Sequence, residues 1–425
     1  MKDMPGSAPP RSVVEEVVRS GRCTGCGLCE SIAGRDQIRM GINMRGHMRP
    51  LVSGQVPESA ESTIRAACPG IRVTGTGPPD GRAEVHPVWG PVRAVHRSWA
   101  TSEPVRFTAA AGGTLTALGH YLLASGRVDA VLHVRASTTQ PWLTDSLIST
   151  GSETVTSGAQ SRYGPSAPLA QVHRLLDAGQ RFAVIAKPCD ISAIRALAAV
   201  DPRVQRQARY LLTFFCGGVH GEHISRAIMR YHGLEQSDVR LFRYRGQGWP
   251  GPLRVQTAAG EVFDLPYPGA WIGKPWRYEV QFRCKICPDA VGEVADLSVP
   301  DGWILKDGRP VHDEAPGTNV VVIRTERGLE LVQAAVAAGY LALAPVTMAE
   351  VDAMHVNHLS RRLGAPANRL ALRLRGQPAL SAPGYRTLTT VMAAGPRRLW
   401  RQFRGTLRRV SAGENREPLI CLFSW

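Results

Sequence analysis

The sequence predicts a mixed α/β (α+β) chain, with a small N-terminal cysteine module followed by a larger α/β body. Three observations predict it. Cys23, Cys26 and Cys29 recur at three-residue spacing, with Cys68-Pro69 further on. Residues 182–186 (FAVIA) and 211–215 (LLTFF) are continuous apolar runs, the pattern of strands buried on both faces of a parallel sheet. Each run also delivers a cysteine just past its end, Cys189 and Cys216.

A chain of 425 residues implies two or three domains. Hydrophobic content of 44% and a mean hydropathy of −0.13 fit a soluble globular protein. No run of about eighteen apolar residues marks a membrane span. The polar, proline-rich start carries no signal pattern, so a cytoplasmic location is expected. Nine cysteines in such a chain point to metal ligation or redox chemistry, not a disulfide framework. The net charge of +16 is uneven: residues 361–410 hold twelve arginines and no Asp or Glu.

Residues 1–11 read as disordered. Residues 12–18 read as a short helix with Ser12 and Glu15 at capping-box spacing. Cys23, Cys26, Cys29 and Cys68 then form a ligand set. Three thiolates at three-residue spacing can wrap one face of a cubane, and the fourth, before proline, completes it. Zinc is the alternative, although zinc ligands more often come as two separated pairs. The spacing favours a [4Fe–4S] cluster in a ferredoxin-like module at 12–78. Residues 71–84 read as a linker.

The body is read as 79–168 and 169–345. Residues 92–98 alternate as a strand, and 108–118 turn into a helix running to about Ser125. Small residues at that helix start, Gly112, Gly113 and Thr114, suit either a tight turn or the approach of a phosphate. A strand is expected at 129–134. Residues 137–168 are polar and read as a disordered excursion or a functional loop. Helices follow at 168–178 and 191–199, and a strand is expected at 320–324 with a helix at 328–338 packing on it.

If the runs at 182–186 and 211–215 are parallel neighbours, Cys189 and Cys216 stand on one sheet edge, where ligands of open α/β sheets bind. Cys284 and Cys287, two residues apart, can complete a second set of four. The alternative for Cys189 and Cys216 is that they are buried core thiols. Residues 243–252, with an exposed-looking Trp249, read as a loop suited to a planar or anionic ligand, or as a structural turn. Residues 346–425 read as a basic helical tail. It could lie on an anionic membrane, dock an acidic partner, or stay a solvated appendage. Nucleic acid is not expected, since no recognition fold accompanies the charge.

Taken together, these pieces resemble the coenzyme F420 hydrogenase/dehydrogenase beta-subunit family. The resemblance runs in order through residues 111–114 (AGGT), 161–165 (SRYGP), 187–190 (KPCD), 215–218 (FCGG), 248–251 (GWPG), 284–289 (CKICPD), 293–296 (EVAD) and 301–303 (DGW). It implies an FAD-dependent iron–sulfur oxidoreductase that exchanges hydride with coenzyme F420, a deazaflavin. Relatives in that family use ferredoxin electrons to reduce tetrapyrrole pigments. Carried over, Cys189, Cys216, Cys284 and Cys287 would hold a second [4Fe–4S] cluster. Gly112, Gly113, Thr114, Ser161, Tyr163 and Lys187 would line the FAD. The expected partners are the deazaflavin and a redox protein, either ferredoxin-like or a partner subunit. The alternatives are a ferredoxin-dependent reductase of another organic substrate and a non-catalytic relay subunit.

Overall fold

The computed structural model describes residues 12–75, 84–418 and 421–423. The expected disorder at 1–11, and most of the linker at 71–84, lie outside the described residues.

Eight strands make the central sheet. Across it run Leu341–Pro345, Ala94–Ala100, Asn319–Ile323, Leu297–Ser298, Ala208–Thr213, Phe182–Ile185, Ala130–Ala136 and Thr144–Ser149. The four strands from Leu297–Ser298 to Ala130–Ala136 are parallel neighbours. The other pairings are antiparallel. The apolar runs are continuous because both faces are covered. On one face, Leu132, Phe182, Val184 and Leu211 pack with Ile191 and Leu197 of the helix Pro188–Ala198. On the other, Val131, Ala183, Leu212 and Val321 pack with Leu118 of Thr114–Ala124 and Leu331 of Glu326–Ala337. Each such fully buried Leu, Val or Phe contributes about 1.5–3 kcal/mol.

The polar stretch 137–168 is not an excursion. It supplies the edge strand Thr144–Ser149 and the helix Ser152–Ser157. Arg162 ties it down by donating to Pro141 O at 2.9 Å, Leu143 O at 2.6 Å and Phe242 O at 2.8 Å. Its polar composition answers to backbone carbonyls of the fold. Trp249, read as exposed, is 5% exposed, because Arg245 lies 4.9 Å over its ring and Trp303 packs 4.7 Å away.

The N-terminal module carries the helix Val13–Arg19. Ser12 caps it by accepting from Val14 N at 3.2 Å. The expected partner Glu15 does not close the box. Glu61, on the helix Glu58–Ala67, accepts from Ser12 Oγ and from Val13 N instead. The module's sheet joins Met48–Val52 and Ile38–Asn43 to Cys421–Phe423 from the far end of the sequence. Glu417 reinforces the junction. Buried, it accepts from Arg49 Nε and Nη2, each at 2.6 Å.

The basic C-terminal stretch is folded against the body. Its helices are Val356–Leu374, Thr387–Ala394 and Pro396–Ser411. Leu399 packs with the core around Trp89, and Val410 packs with Phe282, Ile286 and Leu372. Leu399 and Val410 of the last helix are thus used within the chain, while Trp400 stays exposed. Arg362 donates to Glu293 Oε2 at 2.6 Å, and Arg386 lies 2.8 Å from Glu293 Oε1. No helix among the described residues is long and apolar enough to cross a membrane.

Candidate functional site

The first four cysteines line one cavity, together with Val14, Ile64 and Pro69. The loop that carries three of them closes around it through two glycines in left-handed conformation. Gly25 has φ 75° and Gly27 φ 84°, and a Cβ on Gly25 would stand 2.7 Å from Met48 O. Gly25 N donates to Cys23 Sγ at 3.4 Å. Cys68 is the C-cap of Glu58–Ala67, so the end of that helix aims it at the same space.

The second four, Cys189, Cys216, Cys284 and Cys287, line a separate cavity with Lys187, Arg283 and Arg361. The sheet explains why they meet. Phe182–Ile185 and Ala208–Thr213 are parallel, so both chains leave the same edge. Cys189 then falls in the first turn of Pro188–Ala198, and Cys216 follows the neighbouring strand. The segment bearing the other pair is anchored beside them, since Cys216 N donates to Ala290 O at 2.8 Å. Asp289 Oδ1 shapes the turn after Cys287 by accepting from Val291, Gly292 and Glu293 N–H groups. Val219 N donates to Cys284 Sγ at 3.4 Å. Thr24 lines both cavities, so the two sets are neighbours.

Burial pushes the Cys68 thiol up to about 11 and the Cys216 thiol up to about 12, neighbouring Cys23 and Cys284 adding to it respectively. Metal entering either cavity displaces those protons. The donor sets fit iron–sulfur clusters: four sulfurs at the walls of a cavity, with backbone N–H groups directed at sulfur. Among the described residues no three of His, Cys, Asp and Glu converge as they would on a single ion.

The residues named for the flavin stand in two places. Gly112, Gly113 and Thr114 begin the helix Thr114–Ala124, where Gly113 has φ 74°. Their close contacts are with protein. A Cβ on Gly112 would meet Asn319 N at 2.7 Å, Thr114 N donates to Asn319 Oδ1 at 3.3 Å, and the Thr114 hydroxyl bonds Ser98 at 2.9 Å. Ser161 and Tyr163 lie on the stretch leading to Ser166, with Tyr163 packed edge-on to Tyr244 and Trp271. Lys187 stands between Ser166 Oγ, at 3.2 Å, and Asp190 Oδ2, at 2.8 Å. Burial works against the Lys187 ammonium, but Asp190 and Cys189 outweigh it and hold its pKa above the usual range.

Arg243 was one of the two arginines in the 243–252 stretch read as suited to an anionic ligand, whereas Arg162, Arg283 and Arg361 were not singled out. Arg243 donates to Ala159 O at 2.7 Å and to Thr108 O, joining the flanks of the two flavin stretches. Burial lowers the Arg243 and Arg162 guanidiniums to about 10, and neither pairs with a carboxylate among the described residues. Arg243, buried and with its Nε unsatisfied, suits an anionic cofactor, whereas the donors of Arg162 are taken by Thr144, Gln160 and the carbonyls of Pro141, Leu143 and Phe242. Arg361 donates to Cys216 O at 3.0 Å and Gly217 O at 2.7 Å. Arg283 was visible only as the neighbour of Cys284, and Arg361 only as one arginine in a basic run.

Comparison with known proteins bears on the same segments. Residues 95–174 match the family described as coenzyme F420 hydrogenase/dehydrogenase, beta subunit N-term, and residues 179–349 match the C terminus of that beta subunit. The chain is 26% identical over 239 residues to coenzyme F420-dependent sulfite reductase of Methanocaldococcus jannaschii, across 52% of this chain. It spans 34% of that relative's length. A chain of the F420-reducing [NiFe] hydrogenase complex from Methanosarcina barkeri shares the fold, with a TM-score of 0.52 at 21% identity, covering 67% of this chain and 95% of that one.

Proposed function

The chain belongs to the coenzyme F420 hydrogenase/dehydrogenase beta-subunit family, an oxidoreductase family, and from that premise we propose an FAD-dependent iron–sulfur oxidoreductase. It couples hydride exchange with coenzyme F420 to one-electron transfer through two [4Fe–4S] clusters. The observation that carries this reading is the pair of cavities, each walled by four cysteines and meeting at Thr24. When bound, the clusters would carry single electrons, and the flavin would combine two of them with a proton into one hydride equivalent.

Cys23, Cys26, Cys29 and Cys68 hold one cluster in this reading, and Cys189, Cys216, Cys284 and Cys287 the other. Gly112, Gly113, Thr114, Ser161, Tyr163 and Lys187 line the FAD. The FAD assignment is supported by family resemblance, by Lys187 beside Cys189, and by Arg243, whose Nε is unsatisfied, near those stretches. No side chain is asked to move a proton, since hydride transfer to a flavin needs orientation above all. A redox protein or partner subunit exchanges electrons with the N-terminal cluster.

Protein purified without oxygen tests the reading. About eight irons and one FAD per chain, with prompt flavin bleaching by reduced F420, is the expected result. The same cofactors without a response to the deazaflavin would keep the architecture and move the activity to a ferredoxin-fed reductase. Clusters without flavin would leave a relay subunit.

A further inference from the structure

Arg283 lies between the two cysteine cavities. It is 1% exposed and lines the second cavity. Its guanidinium donates to Pro69 O at 3.2 Å, next to Cys68 of the first set. It shares the wall of the second cavity with Cys189, Cys216, Cys284 and Cys287.

The other buried cations near these cavities have carboxylate partners. Arg49 is held by Glu417, Arg22 by Glu16, and Lys187 by Asp190. Arg283 forms no such pair among the described residues, and its Nε has no hydrogen-bond partner. A buried guanidinium without a counter-anion is costly. The anions within its reach are the thiolates of the second set, with Cys23 of the first set a weaker influence.

We propose that Arg283 is the counter-cation of the second cluster and sets its reduction potential above the value its cysteines alone would give. This rests on the two-cluster reading. Reduction adds a negative charge to the cluster, and a fixed cation in the wall of its cavity stabilises that charge in a low-dielectric setting. Because Arg283 lines the second cavity and meets only the backbone beside the first, it raises the second potential more. The electron's preference between the two clusters is therefore written partly in this one side chain.

The test is a reductive titration of the full-length, cluster-loaded protein, followed by electron paramagnetic resonance of both reduced clusters. In Arg283→Gln the second cluster becomes harder to reduce by tenfold or more, about 59 mV for a one-electron couple. The first cluster shifts less, and Arg283→Lys restores most of the loss. An unchanged second potential, or equal shifts of both clusters, overturns the proposal. If Arg283→Gln does not retain the second cluster's iron, Arg283→Lys decides. A potential within tenfold of the parent supports the counter-cation role, and a larger drop with the charge present overturns it. Loss of that iron from both variants also overturns it, by making Arg283 a folding residue. A parent protein with a single reduced-cluster signal would instead sink the two-cluster reading before any substitution.

Discussion

Arg362→Met measures how firmly the C-terminal helices are built into the body. Arg362 is 5% exposed and donates to Val88 O at 2.9 Å, Pro288 O at 2.8 Å and Glu293 Oε2 at 2.6 Å. Removing one partner of a buried ion pair costs about 3–5 kcal/mol. Two carbonyls left without a donor push the cost toward the upper end. With a total stability of order 5–15 kcal/mol, about 4 kcal/mol is a large fraction. At a slope near 2 kcal/mol/M it moves the urea midpoint down by about 2 M. The assay is urea unfolding followed by circular dichroism, for Arg362→Met, Glu293→Gln and the double variant. Arg386 remains near Glu293 in the single variant, so the cycle isolates the Arg362–Glu293 term. The expected coupling is 2 kcal/mol or more, on the order of that seen for contacting residues. A midpoint shift below about 0.5 M, or single costs that add within about 0.5 kcal/mol, would refute the staple.

Cys26→Ala should lose the iron of the first cavity and leave flavin binding intact, whereas Cys287→Ala should disturb both the second iron site and the flavin spectrum; iron content and absorbance separate the two. Glu417 is held below the usual carboxylate range, because Arg49 and His47 outweigh the upward push of burial. Its depressed folded pKa contributes stability above the unfolded value, near 4.3, and that contribution drains away as pH falls below it. Acid titration should thus release iron from the first cavity at higher pH in Glu417→Gln than in the parent protein. His133, buried against Ser149, is lowered to about 4, chiefly by burial. Between pH 6.5 and 4 the unfolded chain takes up the proton that the folded chain refuses, so stability falls as pH drops through that window. His133→Asn should flatten that part of the stability profile, measured by urea midpoints at each pH.

The cysteine sets were legible because their spacing is local. Cys23, Cys26 and Cys29 announce themselves within seven residues, and Cys284 and Cys287 within four. The meeting of Cys189 with Cys216 was legible one step later, through two apolar runs that had to be buried strands. What stayed hidden was long-range pairing. Nothing near Arg362 in sequence shows that Glu293 will meet it, so inward-facing arginines read like surface charge. Composition misled at 137–168 for the same reason. Arg162 within it reaches Phe242 O on another segment, while hydroxyls such as that of Ser146 bond carbonyls of the stretch itself, here Pro168 O. Trp249 looked exposed because Arg245, which covers it, also pairs with Asp301, 56 residues away.

The ends of the sequence meet in the N-terminal module, and this has a consequence for biosynthesis. Arg49 leaves the ribosome 368 residues ahead of Glu417. At 5–20 residues per second that is a wait of roughly 20–70 s. During it the first four cysteines have neither their third strand nor the carboxylate that settles Arg49. The nascent module thus stays open until Glu417 has emerged. Iron delivered late would find a finished site, and the body's cysteines would already be in place when the first cavity closes.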